Sequence, residues 1–278
     1  MISQQFFIIF FFLIILIFIA CTVSLSKLNK FEHFCELTNI QPENLKKNLE
    51  LVIQFDKKEL IFKKFDKAND LMLKYQTFYD VSIYPELKNI DSSIIKNELI
   101  DYIQKSNNNW IEWPEYDLWK NKNKNKTSWK IIPLMAFGKW SGPYTKKFPK
   151  TTSQLKNIKG LVTAGFSKLG PNTTLKLHKG WGDLSNNVLR CHLGLIVPKS
   201  KCKIFVIGSN NDMMYQKEGK WIIFDDSLYH SASNEDDSND RIILLLDIYR
   251  PTNILKGESD IKNSSELNNF INEFNKNY

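Results

Sequence analysis

The stretch Val188-Leu-Arg-Cys-His-Leu-Gly-Leu-Ile-Val197 decides how this chain is read. At the two-residue period of a strand, Leu189, Cys191, Leu193, Leu195 and Val197 share one face, and Val188, Arg190, His192, Gly194 and Ile196 share the other. The first face is wholly apolar and must pack in a core. Arg190 and His192 therefore point together from a strand anchored in that core, either outward to water or into the cavity of a barrel. Only three of the 38 basic residues are arginine: Arg190, Arg241 and Arg250. In so Lys-rich a chain, an Arg at such a position argues for what Lys does not offer, a planar fork that grips a carboxylate or phosphate through two bonds. Arg241 repeats the pattern at the head of Arg241-Ile-Ile-Leu-Leu-Leu-Asp-Ile-Tyr249, where it shares a face with Ile243, Leu245, Asp247 and Tyr249.

Working outward, further short apolar or alternating runs follow from Trp129, punctuated by Gly, Pro and Asn. Ile158–Phe166, Thr174–His178, Lys203–Ile207 and Lys220–Phe224 join Val188–Val197 and Ile242–Tyr249 as expected strands. Closely spaced strands without intervening helices predict an antiparallel sandwich or jelly roll. Upstream, Lys27 to about Asn108 reads as helical, with Leu45, Leu49, Val52 and Ile53 behind Pro42, and Ile95, Leu99 and Ile103 behind Asp91 and Ser92. The tail returns to helix through Leu267, Phe270, Ile271 and Phe274. Asn121–Lys126 alternates Asn and Lys and reads as a solvated loop.

At the N-terminus, Phe6–Val23 is apolar apart from Thr22. With Ser24 and Leu25 it reaches the roughly 20 residues that span a bilayer, and it exceeds the usual signal-peptide core of about 7–15 residues. A single-pass membrane anchor is expected, with a cleaved signal peptide as the alternative; Lys27 and Lys30 favour a cytosolic body. The chain of 278 residues, 42% hydrophobic and 24% charged, is neither disordered nor collagen-like. Its net charge of +8 comes from scattered Lys rather than a basic block interleaved with aromatics, so nucleic acid is not an expected partner. Cys21, Cys35, Cys191 and Cys202 form no C-x-x-C pair and read as buried thiols. Asn125, Asn172 and Asn263 fit the glycosylation sequon, which matters only for a luminal body.

Three of the four His, His178, His192 and His230, fall in the strand-rich part. With Arg190 and Arg241 they suggest one pocket for an anion and a metal; imidazoles suit iron and zinc alike. A facial triad of two His and one carboxylate would need an acid, but His178-Lys-Gly180 has glycine in the third place. Asp183, Asp225 and Asp226 are the nearby candidates; Asp225 and Asp226 read first as a turn before His230, and Asp183 lies on a loop that could reach a metal. A three-His zinc hydrolase site, and a catalytically silent β-sandwich that binds a partner at the membrane, are the rival readings.

Taken together, Ala164–Gly180, Leu189–Pro198, Cys202-Lys-Ile204, Ile223–Ser227, His230 and Arg241 occur in an order that resembles the aspartyl/asparaginyl β-hydroxylase family, from about Tyr84 to Pro251. The resemblance implies a mainly β, double-stranded β-helix (jelly-roll, cupin-like) domain over 84–255. The organisation expected around it is an N-terminal transmembrane helix over 1–26, a helical stem over 27–83 and a helical tail over 256–278. It also implies an Fe(II)- and 2-oxoglutarate-dependent dioxygenase that uses O2, with His178 and His230 as iron ligands and Gly180 in place of the usual carboxylate. Ser167, Arg190, His192 and Arg241 match cosubstrate-binding positions, Arg241 for the distal carboxylate, and Trp129 matches a tryptophan lining that site. The implied substrate is the β-carbon of Asp or Asn in a protein, with a lipid acyl chain as the alternative. Two departures stand out: the loop Lys179–Leu189 inserts Trp181, Gly182 and Asp183 near the metal, and no tetratricopeptide-like region is present.

Overall fold

The structure, a computed structural model, describes residues 76–105, 110–119, 127–207 and 212–277. The expected anchor, nearly all of the expected stem, Cys21, Cys35 and Asn125 lie outside these residues. No helix among the described residues is long and apolar enough to cross a membrane.

The described chain is mainly β, in two antiparallel sheets. The larger sheet runs β1 (Phe78–Tyr79), β10 (Trp221–Phe224), β7 (Val188–Ile196), β12 (Arg241–Tyr249), β5 (Leu161–Leu169), β3 (Trp129–Ala136) and β2 (Ile111–Glu112), with β4 (Lys139–Trp140) also paired to β3. The smaller runs β6 (Thr173–Thr174), β11 (His230–Asn234), β8 (Cys202–Val206) and β9 (Asp212–Tyr215). The short helices are α1 (Ser92–Lys105), α2 (Tyr116–Trp119), α3 (Gly142–Lys147), α4 (Pro149–Leu155), α5 (Gly182–Ser185) and α6 (Ser265–Asn277).

Residue chemistry explains the two faces of the larger sheet. Leu189, Cys191, Leu193 and Leu195 of β7 are buried as the alternation predicts, with Leu244, Leu246 and Ile248 of β12 beside them. They pack against Ile95, Leu99 and Tyr102 of α1 and against Phe148 and Leu155 around α4 in one apolar cluster. Asp91 starts α1 where expected, its carboxylate accepting from Ser93 N and Ile94 N at 2.9 and 3.2 Å. The opposite face meets the smaller sheet, where Ile222, Phe224 and Leu169 pack on Ile204, Val206 and Ala232. Arg190 and His192 stand on this inner face, so they point between the sheets and not to water.

Several strands lie outside those expected. Phe78–Tyr79 pairs with the edge of β10, inside the stretch read as helical, and Phe78 lies 6.4 Å from Phe224 ring to ring; the sheet edge outbids the local helix. β3 contains Pro133, which sits at a register shift between Pro133 and Met135 that spares the ladder its missing donor. β11 is His-Ser-Ala-Ser-Asn, a run of low strand propensity whose five residues are all buried because β8 and β6 flank it. The expected strand Thr174–His178 is reduced to Thr173–Thr174 and a single bridge between His178 and His230.

Candidate functional site

That bridge builds the centre of the site. His178 N donates to His230 O at 3.0 Å and His230 N donates back to His178 O at 2.8 Å, which sets the two imidazoles side by side with centroids 4.3 Å apart. Each ring is oriented by a carbonyl two residues upstream: Nδ1 of His178 lies 2.7 Å from Lys176 O, and Nδ1 of His230 lies 2.9 Å from Leu228 O. A carbonyl only accepts, so each Nδ1 carries a proton and each Nε2 keeps its lone pair for a cation. Burial pushes both imidazoles down to about 3, and for His178 the neighbouring His230 adds to it. Both are neutral and ready to ligate at physiological pH.

A carboxylate does reach this pair, and it is Asp226. Its Oδ1 lies 3.2 Å from His230 Nε2 and accepts from Arg190 Nη1 at 2.5 Å. Arg190 also grips Asp247 through two bonds, Nε to Oδ1 at 2.8 Å and Nη2 to Oδ2 at 3.1 Å. Asp226 and Asp247 are 1% and 0% exposed. Burial raises both carboxyl groups even against Arg190, and the two carboxylates hold Arg190 protonated despite its own burial. Two acids on one guanidinium leave a net negative charge beside His230, which a divalent cation would offset.

Gly180 owes its identity to Asp226. A Cβ on Gly180 would lie 1.8 Å from Asp226 Oδ2, so the space that a third-position side chain after His178 would fill already holds a carboxylate from elsewhere in the chain. The turn reading of Phe224–Ser227 holds for one of its acids only. Asp225 accepts from Ser227 N at 2.9 Å and from Arg250 at 2.5 and 2.8 Å, while Asp226 turns inward. Asp183, the other candidate acid, is exposed on α5 and takes no part.

Between the sheets a second cluster fits an anion. Arg241, 2% exposed, leaves Nε and Nη1 buried without a partner, and burial draws it down to about 10. His192 Nδ1 lies 3.4 Å from Gln216 Nε2, which can only donate, so the ring proton sits on Nε2. That Nε2 is also buried and unpartnered. Burial, then Arg241, keeps the ring neutral. Ser167 Oγ accepts from Trp129 Nε1 at 3.0 Å, leaving its own proton to donate. The rungs of β3, β5 and β12 set Trp129, Leu169 and Arg241 in one row and Ile131, Ser167 and Ile243 two rungs on, on the same face. Unsatisfied buried donors of this kind suit a small carboxylate.

The three-histidine arrangement is not assembled. His192 sits against the edge of Phe224, 5.1 Å away, and Phe224 lies 5.4 Å from His230 on the other side. Among the described residues no group of three or more His, Cys, Asp or Glu is placed to hold a metal alone. The donor set is the His178–His230 pair, with Asp226 alongside. Asp247 was legible as a lone acid in an apolar strand, which needs a buried partner. Asp226 carried no such mark.

A model of the aspartyl/asparaginyl β-hydroxylase family matches residues 90–251. The chain is 40% identical over 125 residues to the ornithine lipid ester-linked acyl 2-hydroxylase of Rhizobium tropici, covering 45% of this chain and 43% of that one. It is 33% identical over 140 residues to human aspartyl/asparaginyl β-hydroxylase, covering 50% of this chain and 16% of that one. The chain thus spans less than half the length of either relative. Among solved structures it is similar to a viral collagen prolyl hydroxylase from Paramecium bursaria Chlorella virus-1, with a TM-score of 0.36 and 14% identity over 58% of this chain and 92% of that one. The family match covers more than half of the sequence and contains the paired His178 and His230, Gly180 and both inward-facing arginines, and the chain belongs to the aspartyl/asparaginyl β-hydroxylase family.

Proposed function

We propose that this chain is an Fe(II)- and 2-oxoglutarate-dependent dioxygenase, built on a double-stranded β-helix, that hydroxylates an unactivated carbon. The observation that carries the reading is the pair of unpartnered buried donors, Arg241 and His192, on the sheet that packs against the one carrying His230, opposite two neutral imidazoles whose Nε2 atoms carry no proton. His178 and His230 would hold the metal through Nε2. Arg241 would take the distal carboxylate of 2-oxoglutarate, with His192 Nε2–H and Ser167 Oγ–H as further donors and Trp129 fixing the serine. Arg190, expected among the cosubstrate's partners, has three N–H donors committed to Asp226 and Asp247, and we assign it to holding Asp226 beside the pair. When bound, iron with 2-oxoglutarate and O2 supplies the oxidation, releasing succinate and CO2 and transferring one oxygen atom to a C–H bond. The protein contributes position and dryness: every group named here except His178 and Arg190 is buried or nearly so.

For the substrate, a lipid acyl chain is favoured over the β-carbon of Asp or Asn. The space next to Arg190 and Asp247 is lined almost wholly by aliphatic and aromatic side chains, and these two charges are already spent on each other. An Asp side chain would find no free cation there. The relative with the higher identity is named for an acyl substrate, the other for Asp and Asn. The test is succinate formation in the presence of iron with an ornithine-headgroup lipid or an Asp/Asn peptide, reading substrate mass for one added oxygen. The lipid should gain it, and His178→Ala or His230→Ala should abolish succinate. Oxygen on the peptide alone would move the substrate to protein, and wild-type succinate in either variant would overturn the ligand assignment.

A further inference from the structure

The family match ends at residue 251, yet the chain beyond it is built into the wall of a cavity. Next to the Arg190–Asp247 pair lies a cavity, part of it open to solvent. Its base is the inner face of β3, β5 and β12. Its other walls include Trp113 and Trp181, and Leu267 and Phe270 from α6. Among the described residues Arg190 and Asp247 are the only ionic ones on its walls, and they neutralise each other; Trp129 and Ser167, assigned above to the cosubstrate, mark one part of the cavity, and the occupant that fits the remainder is an uncharged hydrocarbon. One end of such a chain would lie by Arg190, which touches Asp226, which touches His230.

The C-terminal segment is fixed on either side of the residues that line this cavity. Ser259 Oγ donates to Gly180 O at 2.6 Å, Ser259 N donates to Asn186 Oδ1 at 2.6 Å, and Gly182 N donates to Ile261 O at 2.8 Å. A Cβ on Gly182 would lie 2.5 Å from Ser259 O, so glycine there lets the two backbones meet. Ser264 then caps α6, its Oγ accepting from Leu267 N at 3.1 Å, and Lys139 Nζ donates to Asn275 O at 2.7 Å near the far end. Between the anchors, Leu267 is 1% exposed, and Phe270 lies 6.3 Å from Trp113. Trp113 is itself stacked on Trp129 and Trp181, at 4.6 and 5.6 Å, with Glu115 accepting from Trp113 Nε1 and Trp181 Nε1. Phe270 thus abuts an aromatic wall that is held rigid from behind.

We infer that residues 252–277 are the specificity element of this protein, and that Phe270, seated against the indole stack, sets the length of hydrocarbon chain the cavity admits. The inference rests on the hydroxylase reading and names what that site accepts. Because three tryptophans line the cavity, its occupancy is readable without iron or cosubstrate. A ladder of terminally brominated straight-chain amides of increasing length, added to the metal-free full chain, should quench indole fluorescence most at one length. Phe270→Ala should move that maximum to longer chains and Phe270→Leu should move it less; thermal melts establish that the variants are folded, and if Phe270→Ala melts early Phe270→Leu carries the test. No quenching at any length, or one maximum shared by wild type and the folded variants, overturns the inference. Succinate formation is scored separately: its presence without a length shift removes this inference alone, and a length shift without succinate removes the oxygenase reading alone.

Discussion

Arg241 is the residue whose burial makes least sense without a ligand. A guanidinium 2% exposed, with Nε and Nη1 unpartnered, costs the folded chain desolvation that nothing among its described contacts returns. Arg241→Met should therefore raise the stability of the ligand-free protein, by about 1–3 kcal/mol in a chemical melt, while abolishing 2-oxoglutarate turnover. A destabilised variant would show that Arg241 has an internal partner and no anion to wait for. Gly180 gives the complementary case. Gly180→Asp would write a conventional His-x-Asp sequence, yet its Cβ would meet Asp226 Oδ2, so the variant should lose about 1–3 kcal/mol or more to overpacking. Part of that loss should vanish in an Asp226→Ala background, because the two side chains compete for one space, while the approach to Ser185 Cβ at 2.7 Å remains. Additive losses in a double-mutant cycle would refute the competition.

At the scale of elements, β11 shows how a strand of poor intrinsic propensity is held. Asn234 at its end is fully buried, and its Nδ2 is shared among the carbonyls of Leu169, Gly170 and Asn239 at 2.8–3.1 Å, while Oδ1 accepts from Asp236 N at 3.2 Å. This side chain ties the end of β5 and the loop into β12 to the strand that carries His230. Asn234→Ala would leave several buried groups unsatisfied and should cost about 2–4 kcal/mol, measured by urea unfolding. The imidazole pair should loosen with it, so metal affinity should fall together with stability. A variant as stable as wild type would mean that water replaces the amide and that β11 is held by its ladder alone.

For the whole molecule, the site imposes a pH dependence. His178 and His230 are pushed down to about 3 by burial, and His192 well below its usual value. An unfolded chain binds protons on these rings below about pH 6.5, and the folded chain refuses them, so stability present above that pH is lost as the pH falls toward 3. Asp226 and Asp247, raised by burial, act with the opposite sign, but three imidazoles face two carboxyls. The urea midpoint of the metal-free protein should therefore fall between pH 7.5 and 5, and His230→Gln, which cannot take a proton, should flatten the slope. A midpoint that rises with acidification would contradict the neutral-histidine site. Binding is linked to stability in the same way: 2-oxoglutarate with a redox-inert divalent ion, at a hundred times its Kd, should stabilise by about 2.7 kcal/mol, and Arg241→Met should remove that gain.

The sequence by itself determined the two faces of β7 and β12 that carry Arg190 and Arg241, the start of α1 at Asp91 and the tail helix with Leu267 and Phe274 inward. These follow from local period, capping and the scarcity of Arg, all of which are properties of short stretches. Only the tertiary structure decided that β11 is a strand, that Asp226 rather than Asp183 stands beside His230, that His192 faces Gln216 instead of joining the pair, and that α6 walls the cavity. Each of these depends on chain segments far apart meeting in space. A Ser-rich run becomes a strand only when neighbours supply its ladder, and an Asp in a turn shows which way it faces only once Arg190 and the absent Cβ of Gly180 have made room for it.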